Sequence, residues 1–181
     1  VPDVIFIPCG GSAGMVAAFN GFSEMFEMGL IPALPKMIGV QLSACDPVTR
    51  AFNEGRDEAT PVEKKPSFSD ALMNNNPYWG SEALIAARKS NGFFVSVSDK
   101  EVADAMRLLG SSEGLFLEPA GAVAFAGLQK SLSEKRLPSF KAAVCMMTGH
   151  GLNAPQAAFS SQELPELVKP EIKSVEEYLN L

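Results

Sequence analysis

Apolar and polar positions along this chain fall into blocks of two different periods. Val4-Ile5-Phe6-Ile7, opened by Asp3 and closed by Pro8, is a β-branched and aromatic run without polar interruption, which predicts a strand over Asp3–Pro8 buried on both faces. Beyond the loop Cys9-Gly10-Gly11-Ser12-Ala13-Gly14 the period changes. Met15, Phe19, Phe22 and Phe26 recur at helical intervals and Gly29 stands in the place of a terminator, so a helix of about four turns starts inside the glycine loop. Lys36–Leu42 and Phe93–Val97 read as two further buried strands, and Ala142–Met147 as the last. Ser98-Asp99-Lys100-Glu101 is a capping box that opens a helix carrying Val102, Ala105, Met106 and Leu109. Leu115-Phe116-Leu117 reads as a minimal strand or an extended entry, and Pro119 suits the first turn of a helix over Ala120–Lys130.

Strands alternating with helices at this spacing predict an α/β fold: an open, twisted, mainly parallel sheet with helices on both faces. No internal repeat interrupts it. The polar stretch Asn53–Ser69, with Pro61 and Pro66, reads as a surface excursion rather than a domain boundary. After Gly151 the chain turns Pro-rich and acidic and ends in a short helix near Val175–Leu179. Residues 1–151 are therefore expected to form one α/β unit and residues 152–181 a tail packed across its outside.

With 181 residues, 46% hydrophobic and 20% charged, the composition is that of a globular domain or a large part of one, and disorder is excluded. The longest small and apolar stretch, Ala120–Leu128, is closed by Gln129 and Lys130 and falls short of the about 20 residues that a membrane helix needs. A net charge of −6 without a basic cluster argues against nucleic acid as a partner. Cys9, Cys45 and Cys145 lack CxxC spacing, and with His150 as the only histidine a zinc site has no ligand set. They read as reduced thiols of a cytoplasmic protein. The chain enters its first strand directly from Val1-Pro2, with no visible targeting signal, and that abrupt opening suggests further residues upstream.

In parallel sheets ligands sit beyond the carboxyl ends of the strands, which singles out Gly10–Gly14 after the first strand and Thr148–Gly151 after the last. In the first loop, small residues let backbone approach a ligand, and the following helix presents unpaired N–H groups with a partial positive charge. A phosphate fits such a loop. Its spacing is not the dinucleotide fingerprint, the second strand carries Gln41 where a ribose-binding acid would stand, and no Lys-Ser/Thr pair follows as in a Walker loop. A compact phosphorylated cofactor is thus a better candidate than a nucleotide, the alternative being a tight turn with no ligand. In the second loop, His150 reads as a satisfied or partly buried side chain, with a catalytic role as the alternative, and Thr148 as a turn hydroxyl or a ligand contact. Glu118 reads as a carboxylate at a helix N-terminus, a placement worth about 0.3–1 kcal/mol. Asn74-Asn75-Asn76-Pro77-Tyr78-Trp79 is an unusual polar and aromatic turn that lines a site or lies on the surface.

Phe6–Gly14, Ile38–Gln41, Val95–Asp99, Glu113–Ala120 and Met147–Leu152 occur in the order and spacing of threonine synthase, and the chain resembles the C-terminal part of that family. The glycine loop and the Glu118-Pro119-Ala120 element are shared with threonine dehydratase and cysteine synthase, whereas Thr148-Gly149-His150-Gly151-Leu152 points more narrowly to threonine synthase. The resemblance implies the fold-type II (tryptophan-synthase-β) architecture and pyridoxal 5'-phosphate as cofactor. It implies conversion of O-phosphohomoserine and water to threonine and phosphate, in a homo-oligomer. It assigns Gly10, Gly11, Ser12, Ala13 and Gly14 to the cofactor phosphate and Thr148 to the cofactor's ring nitrogen. Two departures stand out: the loop lacks the asparagines common in the family, and none of the chain's lysines sits in the motif of the family's Schiff-base lysine. The chain alone is therefore expected to be inactive and to need the missing N-terminal part. Rival readings are another fold-type II enzyme, such as a threonine dehydratase or a cysteate-synthase-like enzyme, and a non-catalytic phosphate- or partner-binding module.

Overall fold

A computed structural model describes residues 1–155, 168–169 and 171–179. Four strands form one parallel sheet in the order β3-β2-β1-β4: β1 is Val4–Pro8, β2 Lys36–Leu42, β3 Phe93–Val97 and β4 Ala143–Cys145. The strand pleat sends alternate side chains to opposite faces, and this divides the core in two. Val4 and Phe6 of β1 join Ile38, Val40 and Val95 on one face, while Ile5 and Ile7 join Met37 and Phe94 on the other. Helices α4 (Asp99–Glu113) and α5 (Pro119–Ser133) cover the first face through Val102, Ala105, Leu109 and the Ala-rich side of α5. Helices α1 (Ala13–Glu27), α2 (Pro47–Asn53) and α3 (Gly80–Lys89) cover the second.

β2 and β3 begin and end where the sequence pattern places them, and β1 begins one residue later. The capping box is formed. Ser98 Oγ accepts the Glu101 N–H at 3.3 Å, and Glu101 Oε2 accepts the Ser98 N–H at 2.6 Å. Burial works to raise the Glu101 carboxyl, but the Ser98 bonds and the Lys130 ammonium outweigh it and hold the carboxyl below its ordinary range. Pro119 occupies the first helical turn of α5, which runs to Ser133, three residues beyond the predicted Lys130.

The structure differs from the sequence pattern in several places. The last strand is shorter than predicted and is not buried on both faces: among the described residues β4 stands at the edge of the sheet, and Val144 is 45% exposed. The apolar stripe of α1 is only partly used: Met15 and Val16 are buried, whereas Phe26 stays 46% exposed and Met28 and Leu30 are exposed beside it. Of the two readings of Leu115–Leu117, the extended entry holds: the stretch forms no strand and makes a single antiparallel bridge, Leu117 to His150. Helices α2 and α3 are additions to the expected elements. The region after α2 is an exposed, irregular excursion as expected. The C-terminal helix spans Ile172–Leu179, starts earlier than predicted and buries no side chain; residues 156–167, 170 and 180–181 of the proposed tail lie outside the described residues. Among the described residues no helix is long and apolar enough to cross a membrane.

Candidate functional site

The site is built on the end of β1. Cys9 continues the ladder by donating its N–H to the Val40 carbonyl at 2.8 Å, and the chain then leaves the sheet. Gln41, fully buried in β2, fixes that exit: its Nε2 donates to the Cys9 carbonyl at 3.0 Å. Its Oε1 accepts the Thr49 N–H at 2.9 Å and the Thr49 hydroxyl at 3.2 Å. A single side chain thus ties the glycine loop to α2. Burial pushes the Cys9 thiol up to about 12, so it stays a neutral packing group.

Ser12 is the N-cap of α1 and has a left-handed backbone at φ 68°, an unusual conformation for a residue with a side chain. The side chain caps nothing. Ser12 is 3% exposed; its Oγ lies near the Cys9 thiol yet has no well-formed hydrogen bond. Among the described residues, the N–H groups of Gly10, Gly11 and Ser12 donate to no protein acceptor, and Val16 is the first helical residue whose N–H is paired, to the Ser12 carbonyl at 3.2 Å. The N–H groups of Ala13, Gly14 and Met15 are the orphans of the first helical turn. Six backbone donors and a buried hydroxyl are gathered at the positive end of a 15-residue helix. That is what a phosphate needs, and the residues present fit one.

The segment 71–79 closes the loop from outside. A Cβ on Gly10 would stand 3.2 Å from Leu72 Cα and 3.3 Å from the Ala71 carbonyl oxygen, and the Trp79 N–H donates to the Gly11 carbonyl at 3.3 Å. The segment just before it is pinned to the start of α4, where Asp99 accepts the Ser67 hydroxyl at 2.7 Å and the Phe68 N–H at 3.1 Å. Beside this wall lies an open cleft of about 280 Å³ lined by Ser69, Asp70, Glu118, Pro119 and Asn153, among others. The Ser69 hydroxyl is buried there without a partner.

Because β4 pairs in parallel with β1, the loop after β4 leaves the sheet beside the glycine loop at the same end. Thr148, Gly149 and His150 are exposed. The Thr148 carbonyl packs so closely on Gly121 of α5 that a Cβ at position 121 would overlap it. Gly149, at φ 82°, faces the Glu118 carboxylate with no room for a side chain. Glu118 is the N-cap residue of α5, as read from the sequence, and caps through its carbonyl rather than its carboxylate. His150 is a satisfied side chain, as one reading of the sequence has it, though exposed: its Nδ1 accepts the Leu152 N–H at 3.2 Å, and its ring meets Phe116 edge-on at 5.3 Å. The Thr148 hydroxyl has no partner among the described residues.

The structure thus brings Gly10–Gly14 and Thr148 to one end of the sheet, with Glu118 beside the second loop. It also shows positioning residues that sequence reasoning misses. In the sequence Gln41 stands out only for not being an acid, although a lone amide in an apolar strand is itself a signal of a buried strut. Asp99 reads there only as part of the capping box. No group of three or more His, Cys, Asp or Glu side chains that could hold a metal is present among the described residues.

Comparison with known proteins agrees with this arrangement. Threonine synthase of Methanocaldococcus jannaschii is 36% identical over 165 residues, which are 91% of this chain and 41% of that protein. Threonine synthase of Methanosarcina acetivorans is 34% identical over 98% of this chain and 44% of its own length. The chain therefore spans less than half the length of these relatives. Among solved structures, a fungal L-serine ammonia-lyase from Rhizomucor miehei superposes with a TM-score of 0.70 at 18% identity, covering 90% of this chain and 50% of that one. The processed form of threonine deaminase isoform 2 from Solanum lycopersicum gives 0.66 at 18% identity, covering 91% and 46%. At such identities these two likenesses speak for the fold alone. Residues 1–149 match the pyridoxal-phosphate dependent enzymes as a family, and with the fold and the donor-rich loop already in view, the chain belongs to that family.

Proposed function

We propose that the polypeptide carrying this chain is a threonine synthase, converting O-phosphohomoserine and water to threonine and inorganic phosphate. The observation that carries the cofactor part of this reading is the glycine loop, where unpaired N–H groups of residues 10–15 and the orphaned Ser12 hydroxyl converge with no acceptor of their own. The threonine synthases at 34–36% identity support the substrate part.

In this reading Gly10, Gly11, Ser12, Ala13 and Gly14 hold the cofactor phosphate through backbone donors, so that no Lys or Arg is required beside it. When bound, the cofactor's ring supplies the electron sink for chemistry at the substrate's α-carbon. Thr148 presents a neutral hydroxyl to the ring nitrogen. A carboxylate there would keep that nitrogen protonated, whereas a hydroxyl lets it remain unprotonated and the sink remain mild, which suits elimination and replacement chemistry. Residues 1–151 form the C-terminal part of the cofactor-binding domain. The remainder of the enzyme supplies the lysine that binds the cofactor covalently and the rest of the substrate site, within a cytoplasmic homo-oligomer.

The test is to supply the full polypeptide, loaded with pyridoxal phosphate, with O-phosphohomoserine and follow threonine and phosphate together. Equal release of both is expected, and this chain alone should release neither. Production of 2-oxobutanoate from threonine without phosphohomoserine turnover would replace this reading by a dehydratase, and turnover by the isolated chain would overturn the need for the missing part.

A further inference from the structure

The glycine loop is walled by a segment distant from it in sequence, and one polar side chain of that wall, Asn74, faces the loop. Asn74 Oδ1 accepts the Asn76 N–H at 3.2 Å, which fixes the orientation of its amide. The donor end, Nδ2, therefore faces the loop, 3.5 Å from where a side chain on Gly11 would begin. Nδ2 donates to no protein acceptor among the described residues. The loop it faces carries the unpaired N–H groups of residues 10–12 and leads into the first turn of α1, and its Ser12 hydroxyl is 3% exposed and without a partner. Each of these groups can donate, and none is paired with an acceptor among the described residues.

We propose that Asn74 is a side-chain ligand of the anion held at the N-terminus of α1, its Nδ2 completing from outside the loop a cradle otherwise made of backbone. The proposal rests on the reading of Gly10–Gly14 as the cofactor-phosphate site and adds to it a residue from the wall segment 71–79. The Asn74 amide stands in van der Waals reach of a Cβ at Gly11, so a larger side chain there would come between the amide and the loop. A neutral amide also suits the place, since it adds a donor without adding a charge.

The isosteric variant Asn74→Asp tests this. It keeps the acceptor for the Asn76 N–H, and hence the turn, while replacing the donor that faces the anion by a negative oxygen. In the full polypeptide, equilibrium dialysis would give the affinity for pyridoxal phosphate and, separately, for inorganic phosphate, alongside the thermal midpoint of the cofactor-free protein. Asn74→Asp should weaken both probes by about tenfold or more, as expected for a lost donor plus like-charge repulsion, with the midpoint unchanged. Asn74→Ala, read in its place if the Asp variant is unstable, should weaken them about fivefold. Affinities within a factor of about two of wild type for a folded variant would overturn the proposal. Wild-type binding of phosphate but not of pyridoxal phosphate, with the Asn74 effect intact, would sustain Asn74 as an anion ligand while refuting the cofactor. Binding of neither probe by wild type would refute both.

Discussion

The two loops at the carboxyl end of the sheet are built in opposite ways. The one after β1 leaves a strand paired on both sides, its Gly10 and Ser12 are buried, and it is fastened by Gln41 from one direction and by Trp79 from the other. The one after β4 leaves an edge strand, and its Thr148, Gly149 and His150 are exposed, held mainly by contact with Gly121, Glu118 and Phe116. A preorganised donor cluster costs little to fill, because its ordering is completed on folding. An exposed hydroxyl on an edge gains its meaning when something covers it. The first loop therefore carries binding by itself, and the second adjusts it.

The largest expected effect comes from removing the strut that makes the first loop rigid. Gln41→Leu strands the Cys9 carbonyl and both Thr49 donors in the interior, at about 1–3 kcal/mol for each group left unpaired. The denaturant midpoint should fall accordingly, and an unchanged midpoint would show that the loop does not depend on Gln41. Next is Gly11→Val, which forces a branched side chain against Asn74 Nδ2 and into the cradle. Pyridoxal phosphate affinity of the full polypeptide should drop by at least about tenfold, and equal affinity would reduce the loop to a plain turn.

Smaller effects are expected at the second loop. Losing one neutral hydrogen bond costs about 0.5–1.5 kcal/mol, so Thr148→Val should lower cofactor affinity or turnover several-fold while Thr148→Ser stays mild. If Val and Ser both match wild type, Thr148 is only a turn residue. His150→Ala removes the acceptor for the Leu152 N–H on an exposed turn and should change stability by less than about 1 kcal/mol. A loss of several kcal/mol would mean that the second loop is as rigidly built as the first, and the contrast between them would fail.

Much of this layout could be read from residues in a row. β2 and β3 are mainly apolar runs between polar or Gly-containing turns, and the Ser98–Glu101 box sets the start of α4 through its own hydrogen bonds. The strand-loop-helix at Gly10–Gly14 is local in the same sense. What escaped depends on partners elsewhere. Ala142–Met147 has the same apolar sequence whether or not another strand lies beyond it, so its place at the edge is invisible in the run itself. Helix α3 buries Ala83, Ala86 and Ala87 with Leu84, small side chains that leave little periodic contrast, and α2 has only seven residues. Asn74 lies in a turn whose position against Gly11 is decided by the docking of a distant segment.

The strand order also has a consequence for how the molecule is made on the ribosome. β1 is the first of the four strands to be made yet sits inside the sheet, and the neighbour on one of its sides, β4, is the last of the four. The Asp3 carboxylate records the same delay, accepting the N–H groups of Lys141 and Ala142 at 2.8 and 2.9 Å across sequence separations of 138 and 139 residues. β1, β2 and β3 can assemble as they emerge, but the β4 side of β1 stays without its native partner until the whole succession of helices has been translated. Pairings so far apart in sequence form late and slowly. During that interval the nascent sheet exposes the unpaired backbone of Val4–Phe6, a surface for a chaperone or for unwanted strand addition.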